Sequence, residues 1–155
     1  MTTINHTLTG ALIAAAVRQP LIALPLAFIS HWVLDAVPHF GPIRPTIFEN
    51  NRVPIFRIVL VGDIVLTVAA FLLAPILLHK HVHPLLVVAS MVAAFLPDTA
   101  WVYRFIREIK TKVQIVRYSW FSKLHDKIQW AEKPWGIYAE LAYLIIISAG
   151  IIVWA

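Results

Sequence analysis

From Ile55 to Leu78 the chain runs for 24 residues with only Arg57 and Asp63 carrying charge. At a rise of about 1.5 Å per residue, a helix of that length covers the ~30 Å hydrocarbon core of a bilayer. Four other apolar stretches accompany it. Ile4–Val17 ends at Arg18-Gln19-Pro20, Leu21–Val37 stops at Pro38, and Pro84–Tyr103 and Trp135–Trp154 follow. The first two are near the lower length limit for a crossing and read as a tight helical hairpin. The expected fold is therefore all-α: a single transmembrane domain over residues 1–155, polytopic, with about five apolar helices and one basic amphipathic surface helix.

Composition agrees with that class. The chain is 60% hydrophobic and 14% charged, where soluble domains sit near ~45–50% apolar and ~25% charged. The absence of cysteine excludes disulfides, thiolate metal sites and a cysteine nucleophile. The first stretch lacks the basic flank and small-residue cleavage site of a signal peptide. No internal repeat or low-complexity linker interrupts the chain. Pro38, Gly41, Pro42, Pro45 and Pro54 make the segment after the second stretch an irregular loop.

The net charge of +5 is placed unevenly. Between Arg104 and Lys133, basic residues alternate with Phe105, Ile109, Val113, Val116, Trp120, Phe121 and Leu124, the pattern of a helix lying on a membrane surface. A DNA-contacting helix is the rival reading; the interleaved aromatics favour membrane lipid as the partner and no nucleic acid. With five crossings, this segment and Arg44, Arg52 and Arg57 fall on one side, and only Arg18 and Lys80 on the other. The positive-inside rule then gives a multi-pass protein of the inner (plasma) membrane, N-terminus cytoplasmic and C-terminus outside.

Against this background the polar residues within apolar stretches stand out: Asp35, Asp63, Asp98, Glu140, His6 and His31. A charged carboxylate near a bilayer centre costs about 2.5–3.5 kcal/mol on insertion scales, so each needs a partner or a purpose. Asp63 lies six residues past Arg57, Glu140 six past Pro134, and Asp98 six before Arg104. Each is therefore roughly 9 Å from the same boundary. His31 is equally deep, with Asp35 and His6 about one turn shallower. One layer on one side is what convergence on a shared site produces.

Spacing sharpens the expectation. His31 and Asp35 are four residues apart and share a helix face, a platform for a borderline cation such as zinc. His39 follows one turn later, beyond the break at Pro38, as a ligand or a partner to one. Pro97 loosens the helix before Asp98, and Gly10 and Gly62 admit close neighbours. His125 stands on the amphipathic segment, either closing over the site or as a solvated face residue. His79, His81 and His83, with Lys80, form an interfacial loop on the opposite side. Ser30 lacks the exposed elbow of a serine nucleophile, and no Gly-rich phosphate loop is present. For each acid the plain alternative is a structural bridge or cap between helices.

Three motifs, Asn5-His6-Thr-Leu-Thr-Gly10, Ser30-His31-x-x-x-Asp35-x-x-Pro38-His39 and Phe95-Leu96-Pro97-Asp98, together resemble a family of small bacterial membrane-bound metal-dependent hydrolases. Its His-x-x-x-Asp element is similar to that of zinc-dependent phospholipases C. The resemblance covers about a third of the chain. It implies a metal site of His6, His31, Asp35 and Asp98. The chain departs from the family's fuller pattern, a Leu-Pro-Asp-x-Asp run before a His-Arg-x-x-Thr-His-Ser stretch: Thr99 and Ala100 follow Asp98, and the second stretch is absent from the sequence. The expected function is hydrolysis of a lipid ester or phosphoester at the cytoplasmic leaflet, with one or two divalent ions, zinc foremost. Asp63 and Glu140 serve as further ligands, or one of them as general base. A metal-ion or proton transporter and a structural assembly subunit are the alternatives.

Overall fold

A computed structural model describes residues 1–41, 49, 52–112 and 120–155, apart from the side chains at 100, 101, 121, 122, 125 and 126. The elements are α1 (Thr3–Val17), α2 (Pro20–Asp35), α3 (Pro54–Leu77), α4 (Pro84–Phe95), a 3-10 turn at Leu96–Asp98, α5 (Thr99–Thr111) and α6 (Trp120–Ile128). Two more 3-10 turns, Gln129–Ala131 and Pro134–Gly136, lead into α7 (Ile137–Trp154). Among the described residues there is no strand, only an isolated bridge between His39 and Glu132.

Local sequence explains the boundaries. Pro20, Pro54 and Pro84 open α2, α3 and α4, where a missing amide hydrogen costs no helical bond. Arg18 closes α1 in the left-handed region at φ 57°, its amide on the Ala14 carbonyl at 2.9 Å. The chain can then reverse directly into α2, which gives the expected hairpin.

The first helix is the axis of the bundle. It packs against α2, α3, α4 and α7, and Ile4 through Ala11 are all buried. Its small residues allow this crowding. A Cβ on Gly10 would collide with the backbone carbonyl of Ser90 in α4, so the two helices touch backbone to backbone there. Gly62 does not act in the same way, because nothing lies within 4 Å of its Cβ position.

Apolar side chains point outward as much as inward. Ile58, Val61, Val65 and Leu72 of α3 are exposed, as are Ile145, Ile146, Ile152 and Val153 of α7, while Asn5, His6, Thr7, His31 and Asp35 are buried. Such an inversion suits hydrocarbon, where polar groups must find partners inside the protein. Pro54–Leu77 and Pro134–Trp154 are long and apolar enough to cross a membrane. Pro84–Asp98 with Val102–Thr111, bent by 46°, makes a third candidate. At 15 and 16 residues, α1 and α2 are shorter.

Two expectations change in detail. The stretch Pro84–Tyr103 is not one helix: it breaks at Leu96–Asp98, because Pro97 brings no amide hydrogen to continue the ladder. The basic segment Arg104–Lys133 is not a single helix either. Its first part belongs to α5, which ends at Lys112 in the left-handed conformation with its amide on the Glu108 carbonyl at 2.8 Å. Its later part is α6, and residues 113–119 lie outside the described set.

Candidate metal centre

An α-helix leaves its first amides without intrahelical partners, and burying that end demands acceptors. Thr2 makes no side-chain cap for α1. Carboxylates from other helices take its place. Asp63 of α3 accepts from the amides of Thr3 at 3.0 Å and Ile4 at 2.8 Å. Glu140 of α7 accepts from the Thr2 amide at 2.8 Å. Asp35 of α2 lies 2.6 Å from the Met1 nitrogen. Negative charge at this end of α1 also complements its dipole. Asn5 ties the arrangement together, donating to the Glu140 carbonyl at 3.3 Å and the Thr2 hydroxyl at 3.2 Å.

One turn deeper, Asp35 is fully buried between two imidazoles. Its Oδ1 is 3.1 Å from His6 Nε2, and its Oδ2 is 3.1 Å from His31 Nε2. His31 Nε2 also faces Asp98 Oδ1 at 3.7 Å, and Gln129 donates to Asp35 Oδ2 at 3.2 Å. The two imidazole rings stack with centroids 4.1 Å apart and planes 24° from parallel.

The hydrogen bonds of His31 set its tautomer. Its Nδ1 meets the Ala94 carbonyl at 2.9 Å. A carbonyl only accepts, so Nδ1 carries the hydrogen, and in the neutral ring Nε2 is a bare lone pair. That lone pair faces two carboxylates. A cation on the nitrogen relieves the conflict. A dication shared by the two rings would do so, and His6 Nδ1 is buried with no hydrogen-bond partner.

The donor set fits a metal. His6, His31 and Asp98 offer ligand atoms all within 4.8 Å of one another. Around a tetrahedral zinc with bonds of about 2.1 Å, ligand atoms are roughly 3.4 Å apart. Within the group, His31 Nε2 and Asp98 Oδ1 are 3.7 Å apart, close to that value. Two imidazoles and a carboxylate also match catalytic zinc sites, which keep a fourth position open. Asp35, at His6 Nε2, orients that ring, and the Ala94 carbonyl, at His31 Nδ1, orients the other.

The other expected site residues lie elsewhere. Asp63 and Glu140 are not in the group; both oxygens of Asp63 and one of Glu140 serve α1 amides. The physical reason is that the buried helix end requires acceptors at that depth. His39 is buried but pairs with Glu132 at 3.6 Å, its Nδ1 donating to the Val37 carbonyl at 2.7 Å. Its backbone sits directly on Gly136, where any Cβ would collide. The His125 side chain lies outside the described set. On the far side, His79 bonds the Ile76 carbonyl at 2.6 Å, and His83 caps α4 by accepting from the Leu85 amide.

Sequence reasoning missed Gln129, Glu132 and Glu108. Gln129 is uncharged within an amphipathic segment and gave no signal. Glu108, buried beside Arg104 at 3.7 Å, was hidden by the basic character of its surroundings. Glu132 borders a cavity of about 450 Å³. Apolar side chains of α3 (Phe56, Val59, Leu60, Ile64) and α5 (Val102, Phe105, Ile106) form most of its wall, and Asp63, Asp98 and Gln129 also reach it.

The fold and this cluster define a membrane-type helical bundle with a buried His/Asp group able to hold a metal ion. No protein-family model matches the chain, and no match to it is found among curated proteins or solved structures.

Proposed function

We propose that this protein is a polytopic membrane hydrolase that uses a divalent ion, zinc, to cleave a lipid ester or phosphoester at the cytoplasmic leaflet. The observation that carries the reading is the double position of Asp98. Its carboxylate belongs to the His6–His31–Asp98 group and also to the cavity wall. Metal and a lipid chain would thus meet at one residue. His6, His31 and Asp98 would hold the ion, with Asp35 fixing the His6 ring and the Ala94 carbonyl the His31 ring. An ion in such a site supplies hydroxide at neutral pH, by lowering the pKa of water to about 7, and polarises an acyl or phosphoryl oxygen.

The remaining elements support this role. With five crossings and the N-terminus inside, the site would lie near the cytoplasmic head groups and the basic α5 and α6 segment beside anionic lipid. The short motifs around His6, His31 and Asp98 resemble, over about a third of the chain, those of membrane-bound metal-dependent hydrolases. A metal or proton carrier needs a polar path through the other half of the bundle. The core there is Ala14, Ala74, Leu78, Val87 and Ile151, which favours hydrolysis over transport.

Elemental analysis of protein purified in mild detergent tests the reading. About one zinc per chain is expected, absent from the His31→Ala/Asp35→Ala double variant. Release of labelled acyl chains or head groups should stop with a chelator and resume with zinc. A wild-type chain without metal, or a double variant that keeps it, refutes the proposal.

A further inference from the structure

The cavity, at about 450 Å³ within the ~300–1,000 Å³ range of ligand pockets, lies between α3 and α5. Its lining residues fall at helical spacing on both. Phe56, Leu60 and Ile64 follow at four-residue intervals on α3, and Asp98, Val102 and Ile106 do so from the 3-10 turn into α5. Each stripe covers about 12 Å of helix at ~1.5 Å per residue. The slot between them has one polar end. Asp63 and Asp98 line it beside Met1, whose nitrogen pairs with Asp35 at 2.6 Å. Charge of both signs gathers there, while the apolar stripes lead away from it.

The sides of this slot are not equally closed. At the Phe56 end the Phe40 ring meets the Phe56 ring, their centroids 6.5 Å apart. The chain around Phe40 is tied down. The Lys133 amide donates to the His39 carbonyl at 2.9 Å, and Gly41 and Gly136 lie so close to Glu132 and the His39 backbone that a Cβ on either would collide. Between α3 and α5, by contrast, the lining residues themselves reach the surface. Ile64 is 55% exposed, Val102 46% and Ile106 48%. Apolar side chains that both line a cavity and lie exposed mark the rim of an opening. On α3 that rim adjoins Val61, Val65 and Leu72, also exposed, on a helix long and apolar enough to cross a membrane. The opening therefore faces the surroundings of α3, and around a spanning helix those are lipid chains.

We propose that the cavity opens sideways, between α3 and α5, and takes in an acyl chain of a membrane lipid directly from the hydrocarbon. A chain lifted out past the head groups would cross water and lose the burial of every methylene on the way. A lateral opening avoids that loss. Val102 stands one helical turn from Asp98, so a chain lying in the opening approaches the candidate metal group through apolar surroundings. That the occupant is also the substrate rests on the hydrolase reading above; the route itself rests on the exposed rim and on α3 crossing the membrane.

The sequence has no cysteine, so a pair of thiols can be introduced without background. The test irradiates the full chain in nanodiscs of phosphatidylcholine carrying a diazirine in one acyl chain, and maps the adducts by peptide mass spectrometry. Wild type is expected to carry adducts on Leu60 and Phe105 inside the cavity, as well as on the outward-facing Leu72 and Ile145. In Ile64→Cys/Val102→Cys, a bis-methanethiosulfonate linker across the rim should remove the Leu60 and Phe105 adducts and leave the outer ones, and reduction should restore them. Ile64→Trp/Val102→Trp, which crowds the rim without a linker, should show the same loss. Adducts on Leu72 and Ile145 alone in wild type overturn the proposal, as do cavity adducts that persist in both double variants. Bound zinc is measured on the same samples. Cavity adducts without zinc sustain this route and remove the hydrolase reading; zinc without cavity adducts does the reverse.

Discussion

At one end of α1, Thr2, Thr3 and Ile4 give their amides to Glu140 and Asp63, and His6 meets Asp35 and His31. At the other, Arg18 turns the chain by itself and lies over Trp154, 5.6 Å from the ring centroid. His81 adds an edge-on contact to the same indole at 6.0 Å. Both ends must satisfy polar groups at the limits of apolar helices. The Arg18 end does so with neighbours in sequence and one aromatic ring. The other end draws on α1, α2, α3, α4 and α7 together, and apart from the His31–Asp35 pair within α2 its carboxylates meet their partners across helices. One end is a local stop and the other is a tertiary construction, so perturbations should act on them very differently.

The largest effect is expected from Asp35→Ala. It removes the carboxylate from two imidazoles, the Met1 nitrogen and Gln129 at once. Breaking a buried ionic arrangement by deleting one partner costs about 3–5 kcal/mol. The variant should lose zinc and unfold far more readily, as followed by denaturation in detergent with metal content measured in parallel. Wild-type unfolding with zinc retained would erase the distinction between the two ends.

Asp63→Asn comes next and sharpens the comparison within the polar end. Asparagine keeps one acceptor for the Thr3 and Ile4 amides but removes the charge. The expected cost is about 1–2 kcal/mol, the range of a lost cap together with a helix-dipole partner. Zinc should remain at its wild-type level, because Asp63 serves α1 and stands outside the His6–His31–Asp98 group. Loss of zinc at unchanged stability would return Asp63 to the ligands.

These variants also mark how far the sequence was legible. Burial cost made the polar layer readable, since ionisable residues at equal depth on separate apolar stretches have reason to converge. The i,i+4 spacing of His31 and Asp35 gave a shared face, and Pro97 gave the break that frees the end of α4. The division of labour among the acids was not readable. Hydropathy and spacing place a carboxylate at a depth but do not say whether a backbone amide or an imidazole will face it. That depends on α1 being the central helix, a fact of packing carried by small residues such as Gly10, Ala11 and Ala14. The basic segment misled for a similar reason: its amphipathic period ignores where Lys112 adopts the left-handed conformation.

Smaller effects belong to the other end. Arg18→Ala removes a cation from above Trp154 and leaves alanine in the left-handed region, while zinc content should not move. The lost cation–π contact is worth about 0.5–1 kcal/mol at an exposed position. Arg18→Gly loses the same contact, but glycine relieves a left-handed penalty of roughly 1–2 kcal/mol, so its stability should fall near or slightly above wild type. The ordering Gly above Ala, read from paired thermal unfolding curves, assigns the residue to backbone geometry. Equal loss in both variants would mean the guanidinium carries the turn. A fall in bound zinc in either would show that strain at Arg18 travels the length of α1 to His6, and the two ends would then have to be treated as one coupled unit.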